Sequence, residues 1–146
     1  MAVRFKKILN QRQNPLTVNN TMDITARAQQ VRISPRKVRL VLAMVRGMKA
    51  EDACHQLMHS SKEAARPILK VLQSAIANAE HNAGMNRAML VVKIATAQDG
   101  QTLSRWMPRA HGRATPLRKR SSHIMIILEG PDVEKQKTKD KKLKKA

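Results

Sequence analysis

Aromatic side chains are almost missing from this sequence of 146 residues, which holds one Phe, one Trp and no Tyr. A core without rings has to be assembled from Leu, Ile, Val, Met and Ala. The same shortage excludes a row of stacking platforms, the device by which single-strand binders hold successive bases. Cysteine is as scarce: Cys54 stands alone. That excludes an intrachain disulfide and a cysteine-built zinc framework, and it suits a reducing compartment. No apolar run approaches the roughly 18 residues of a spanning helix. Phe5-Lys6-Lys7-Ile8-Leu9 lacks the long apolar stretch of a secretory signal. Asp and Glu total 10 against 29 Lys and Arg. So thin a supply of carboxylates leaves acid–base catalysis little to work with.

What is present is positive charge, a formal +19. From Gly100 to Leu128 there is no acid at all. Within that stretch, residues 105–120 carry six permanent cations, Arg105, Arg109, Arg113, Arg118, Lys119 and Arg120, with Trp106, Pro108, Gly112 and Pro116 between them. Burying so many unpaired cations would cost several kcal/mol or more for each. An ordinary solvated face mixes both signs of charge. A tract of one sign therefore calls for a polyanion beside it, and arginine's planar fork suits phosphate. With few rings available, phosphate contact and shape recognition of folded nucleic acid fit better than serial stacking.

Along the chain, residues 1–25 form a basic, Asn/Gln-rich extension with no acid before Asp23. Two readings fit it, an organelle transit peptide or a flexible tail that orders on nucleic acid, and composition favours the tail. Ala26 to Ile33 alternates loosely, as a strand would. Ser34-Pro35 then opens a helix, with serine at the N-cap and proline where its missing N–H is harmless. Val38, Leu42 and Val45 recur at helical spacing until Gly47 closes the element. Arg32, Arg36, Lys37 and Arg39 lie in or beside this helix, and Arg32, Arg36 and Arg39 are expected to share one side.

A second helix is expected from about Ala50 to His59, with Glu51 and Asp52 at the positive end of its dipole. Ser60-Ser61-Lys62-Glu63 has the form of a capping box for a third helix. Its apolar stripe runs from Ile68 to Ala79 and it closes at Gly84. Pro67 should kink this helix or delay its start. Met89 to Ala97 and Ile124 to Leu128 read as strands. Between them, Asp99-Gly100 fits either a tight hairpin turn or a bulge within a longer two-armed ribbon. After Gly130-Pro131, residues 131–146 are a lysine-rich tail expected to be disordered when free.

Metal and catalytic readings are weak. His55 and His59 have helical i,i+4 spacing, but the peptidase pattern needs glutamate after the first histidine and this chain has Gln56. No phosphate-cradling Gly-rich loop is present, so neither an enzyme, a metal nor a cofactor is expected. A membrane-surface role would need a basic amphipathic helix with an aromatic face, which the sequence lacks. Charge alone leaves open a nonspecific DNA-compacting protein.

Three blocks taken together are similar to one family. They are Val31-Arg32-Ile33-Ser34-Pro35-Arg36-Lys37-Val38-Arg39-Leu40-Val41, ending at Arg46-Gly47; Ser74-Ala75-Ile76-Ala77-Asn78-Ala79-Glu80-His81-Asn82; and Pro108-Arg109-Ala110-His111-Gly112-Arg113-Ala114, continuing through Arg118-Lys119-Arg120-Ser121-Ser122-His123-Ile124. The chain resembles large-subunit ribosomal protein twenty-two of bacterial and organellar type over about residues 26–129. The resemblance implies an α+β fold, three helices packed on a three-stranded antiparallel sheet, with a long protruding β-hairpin over about residues 89–129. It favours the bulge at Gly100 and gives the arms a reach of roughly 50 Å.

It further implies a domain over 26–130 that binds large-subunit ribosomal RNA and sits beside neighbouring large-subunit proteins in the cytoplasmic, or an organellar, ribosome. It implies a part in subunit assembly and no small-molecule substrate. Arg32, Arg36, Lys37, Arg39, Arg105, Trp106, Arg109, Arg113, Arg118, Lys119 and Arg120 become the expected RNA contacts. Met107, Pro108, Arg109, Ala110, His111, Gly112 and Arg113 become a tip lining the peptide exit tunnel, against the nascent peptide. His111 departs from the Lys or Arg common in the family at that place. For Trp106, stacking on a base or sugar and packing against the ribbon are equally open.

Overall fold

The computed structural model describes residues 21–131. The expectations for the first twenty residues and for the lysine tail beyond Pro131 lie outside them.

The chain begins with a strand, β1 (Thr21–Val31), and continues with three helices, α1 (Pro35–Val45), α2 (Ala50–His59) and α3 (Ala65–Ala83). A short 3-10 turn at Arg87–Met89 leads into β2 (Val91–Asp99). Two shorter strands, β3 (Leu103–Pro108) and β4 (Ala114–Lys119), precede the last strand, β5 (Ser122–Pro131). The architecture is α+β, with three helices, a three-stranded antiparallel sheet ordered β1-β5-β2, and a separate two-stranded ribbon, β3-β4.

β5 shows why the sheet has one wet and one dry face. Its residues alternate strictly, with Ser122, Ile124, Ile126, Leu128 and Gly130 buried and the residues between them only partly covered. β2 keeps the same phase only through an irregularity at Lys93. The register runs Val92↔Leu128, then Ala95↔Ile126 and Ala97↔Ile124, so the extra residue restores the inward direction. A strictly alternating strand would have turned Ala95 to solvent.

β1 starts at Thr21, five residues ahead of the strand expected from Ala26. The earlier start is hard to see in the sequence because β1 is an edge strand with a mostly exposed pattern. Its inward contribution is little more than Ile24, Ala26 and Ala28.

The helices cover the dry face. Val38, Val41, Leu42 and Val45 of α1 and Ile68, Leu72, Ala75, Ile76 and Ala79 of α3 are buried. α2 adds Ala53, Cys54 and Leu57. Truncating a fully covered residue such as Leu72 to alanine costs about 2–5 kcal/mol in such a core. The alanines at positions 75 and 79, both fully buried, let α3 lie close to its neighbours.

The start of α3 corrects the expected capping box. The N-cap is Ala64, without a side-chain cap bond. The Ser60 hydroxyl instead accepts the Lys62 N–H at 3.4 Å. Pro67 explains the delay: a helix opened at Ser60 would carry it in the interior, where its ring clashes. Starting at Ala65 places it in the first turn, where no backbone N–H is required.

Candidate nucleic-acid interface

The ribbon is built so that its cations point to water. β3 and β4 pair from Leu103↔Lys119 to Pro108↔Ala114. Every residue from 104 to 120 is exposed. Six pairs span about 20 Å, so the part of the hairpin outside the core is this ribbon, and the rest of each arm belongs to the main sheet. Because cross-strand partners share a face, Leu103, Arg105 and Met107 lie with Lys119, Leu117 and Thr115. Ser104, Trp106 and Pro108 lie on the other face with Arg118, Pro116 and Ala114. A two-stranded ribbon with neither face covered is marginal in water on its own.

At the root, Asp99 pairs with Ser122 and Leu103 with Lys119, so the chain does not turn back at Asp99-Gly100 and the tight hairpin reading fails. The Gly100 N–H donates to Ser121 O at 3.0 Å, and the Ser121 hydroxyl donates to Gln101 O at 2.6 Å. A Cβ on Gly100 would fall 2.7 Å from the Ser121 hydroxyl oxygen, so only glycine permits this approach.

At the tip, the Arg109 N–H donates to Arg113 O at 2.8 Å around the Ala110–Gly112 turn. His111 and Gly112 both have positive φ, 59° and 69°. The Arg109 Nε donates to the Thr115 hydroxyl at 3.1 Å. Arg109 thus braces the tip as well as charging it.

Arg32 joins the ribbon rather than α1. An open notch of about 640 Å³ is lined by Arg32, Ser34, Leu103, Arg105, Arg118, Lys119 and Arg120. The strand irregularity after Ala28 and the positive φ of Gln30, 54°, turn the chain so that Arg32 faces the root. None of these cations has a carboxylate within ion-pair distance among the described residues. Ser34 holds the N-cap position of α1, but its hydroxyl makes no cap bond. The positive end of the α1 dipole therefore opens at the rim of the notch.

The expected clustering of Arg32, Arg36 and Arg39 is only partly realised. Arg39 turns the other way: its Nε donates to Ala97 O at 3.0 Å and its Nη2 to Asp99 at 2.8 Å. It is a strut on β2. Arg36 is exposed beside the junction, and Lys37 borders a separate apolar groove with Ile33, Leu40, Val41 and Met44. Trp106 is 72% exposed, so packing against the ribbon does not account for it.

The remaining titratable candidates form no second site. His55 and His59 are exposed on α2, and no group of three or more metal-ligating side chains occurs among the described residues. Burial pushes the Cys54 thiol pKa up, partly opposed by the Arg87 charge, and keeps the sulfur protonated and inert.

Residues 26–129, which include the ribbon, the notch and the helices that carry them, match the family model described as ribosomal protein L22p/L17e. The chain belongs to the ribosomal protein L22p/L17e family. Over 108 residues it is 52% identical to the large ribosomal subunit protein uL22 of Thermoanaerobacter sp. (strain X514), covering 74% of this chain and 97% of that relative. The protein of the same name from Staphylococcus aureus (strain JH9) is 51% identical over 107 residues, 73% of this chain and 92% of its own length. L22p/L17e proteins are structural ribosomal proteins, not enzymes. No helix among the described residues is long and apolar enough to cross a membrane.

Within this L22p/L17e domain, sequence reasoning missed Ser34, Gln30, Gln101 and Ser121 as neighbours of the cations. Gln30, Arg32, Gln101, Leu103 and Ser121 line a smaller cleft beside the notch. No spacing signals them, because a bulge and a left-handed residue bring them together.

Proposed function

We propose that this chain is a structural constituent of the large ribosomal subunit and that it binds large-subunit ribosomal RNA through the ribbon and the notch. Arg32, Arg105, Arg118, Lys119 and Arg120 hold phosphates at the root, and Arg36 and Lys37 extend the basic surface along α1. Arg39 serves this interface indirectly, by fixing β2. Arg109 and Arg113 carry charge to the tip, where Met107 to Arg113 line the peptide exit tunnel beside the nascent peptide. The same contacts support subunit assembly, next to neighbouring large-subunit proteins of the ribosome.

One observation carries this reading. Seventeen consecutive residues, 104–120, lie in water with no acid among them. A marginal ribbon of that charge needs surrounding phosphates to hold one geometry. If roughly eight phosphates are neutralised, affinity should fall by about three to five decades between 50 and 200 mM salt.

The test replaces Arg109, Arg113 and Arg118 with alanine. Incorporation into large subunits, read by co-sedimentation through a high-salt wash, should drop while the thermal midpoint of the free protein stays put. An equal loss of thermal stability would mean that the guanidiniums serve the fold instead. Preference for duplex DNA over structured ribosomal RNA in a competition assay would favour DNA compaction.

A further inference from the structure

Trp106 is the largest apolar side chain left in water. It stands on the ribbon face opposite Pro116, with Pro108 and Ala114 one step toward the tip and Arg118 and Ser104 one step toward the root. That face is a narrow apolar strip ending in a guanidinium. The other face places Arg105 between Leu103 and Met107, and no residue from 100 to 128 is acidic.

We propose that this face is a stacking site for one unpaired nucleotide of an RNA, with the base on the Trp106 indole against Pro116 and a phosphate on Arg118. The proposal rests on the RNA-binding reading above and adds a second kind of contact to it. A protein segment offers an apolar group or an acid in separate side chains. A nucleotide carries a flat ring and a phosphate on one short frame, which matches an indole and a guanidinium at diagonal cross-strand positions about 7–8 Å apart. A duplex cannot use the site, because its bases are already stacked inside. The scarcity of aromatics fits as well: one platform fixes one nucleotide and does not track a strand.

Because the chain has a single Trp and no Tyr, its emission reports this face alone. The full chain is titrated with an unstructured oligoadenylate and, separately, with an RNA duplex of the same length. The single strand should quench Trp106, and the duplex should bind by charge without quenching. Trp106→Ala should weaken the single strand by about five- to a hundredfold. The same variant should leave the duplex within twofold and the salt dependence unaltered, and Trp106→Phe should recover most of the loss. Circular dichroism identical to the parent's excludes misfolding. Equal losses for both RNAs, or no loss, overturn the proposal. Quenching by an acidic peptide but not by the oligoadenylate overturns it in favour of a protein partner. Failure of both RNAs to bind overturns the RNA-binding reading itself.

Discussion

Two adjacent serines at the ribbon root have opposite expected roles. Ser121 is 4% exposed and its hydroxyl donates to Gln101 O at 2.6 Å, whereas Ser122 is fully buried and its hydroxyl has no partner among the described residues. Ser121→Ala should cost about 1 kcal/mol, the net value of a hydrogen bond between neutral groups. Ser122→Ala removes an unsatisfied buried hydroxyl and should leave stability unchanged or raise it by about 1 kcal/mol. Urea unfolding of the two variants checks the pair, and destabilisation by both would show that Ser122 has a hidden partner. Single residues were the scale at which the sequence was hardest to read. The identity of the cations and their demand for an anion were plain, because charge needs no geometry. Which arginine faces the root and which supports a strand was not, since Arg32 and Arg39 differ only in where a bulge and a helix turn them.

At the scale of elements, α1 does more than cover the core. β2 is an edge strand, and its outer carbonyls at Ala97 and Ala95 accept from Arg39 on α1 and from Arg46, the residue that caps the helix's C-terminal end. Beyond them the backbone takes over, with Gly47 N–H donating to Val92 O and Ala50 N–H to Leu90 O. An edge so occupied cannot template pairing with another chain. Arg39→Ala should cost about 1 kcal/mol after allowance for its half-exposed side chain. In denaturation and RNA-binding assays run side by side, it should weaken RNA binding less than Arg118→Ala does; the reverse order would make Arg39 a phosphate contact.

On the wet face, Asp23 and Glu129 stand opposite each other in register, and Lys93 Nζ lies 2.9 Å from Asp23 and 3.8 Å from Glu129. The hydrogen bond to Asp23 chiefly raises the Lys93 pKa above its ordinary 10.5. A raised lysine stabilises the fold fully below its unfolded value and stops doing so as pH climbs through the folded one. Lys93→Met should therefore be less stable than the parent at pH 7 and pH 9, and the gap should close above the lysine range. A gap that persists at high pH would trace the effect to packing. Helix extents and the central strand were legible from apolar period and Gly47, Gly84 and Pro35. The capping box misled because a proline seven residues on vetoed it, and β1 and β2 were blurred by an edge position and a one-residue irregularity.

Across the whole molecule, charge and core occupy opposite parts of the chain's economy, one outside along residues 104–120 and one inside between helices and sheet. The middle strand of that sheet is the last to be made: β5 joins β1, which lies about a hundred residues earlier, to β2. Contacts of such separation close late. During its own synthesis, this polypeptide would hold helices without a finished core until residues 122–131 emerge. A chain stopped at Arg120 should be protease-sensitive throughout, and one stopped after Pro131 should keep its helices and three-stranded sheet protected while the exposed ribbon is still cut. Premature termination upstream of Ser122 would then yield no half-built domain able to compete for a place in the particle, only fragments for degradation.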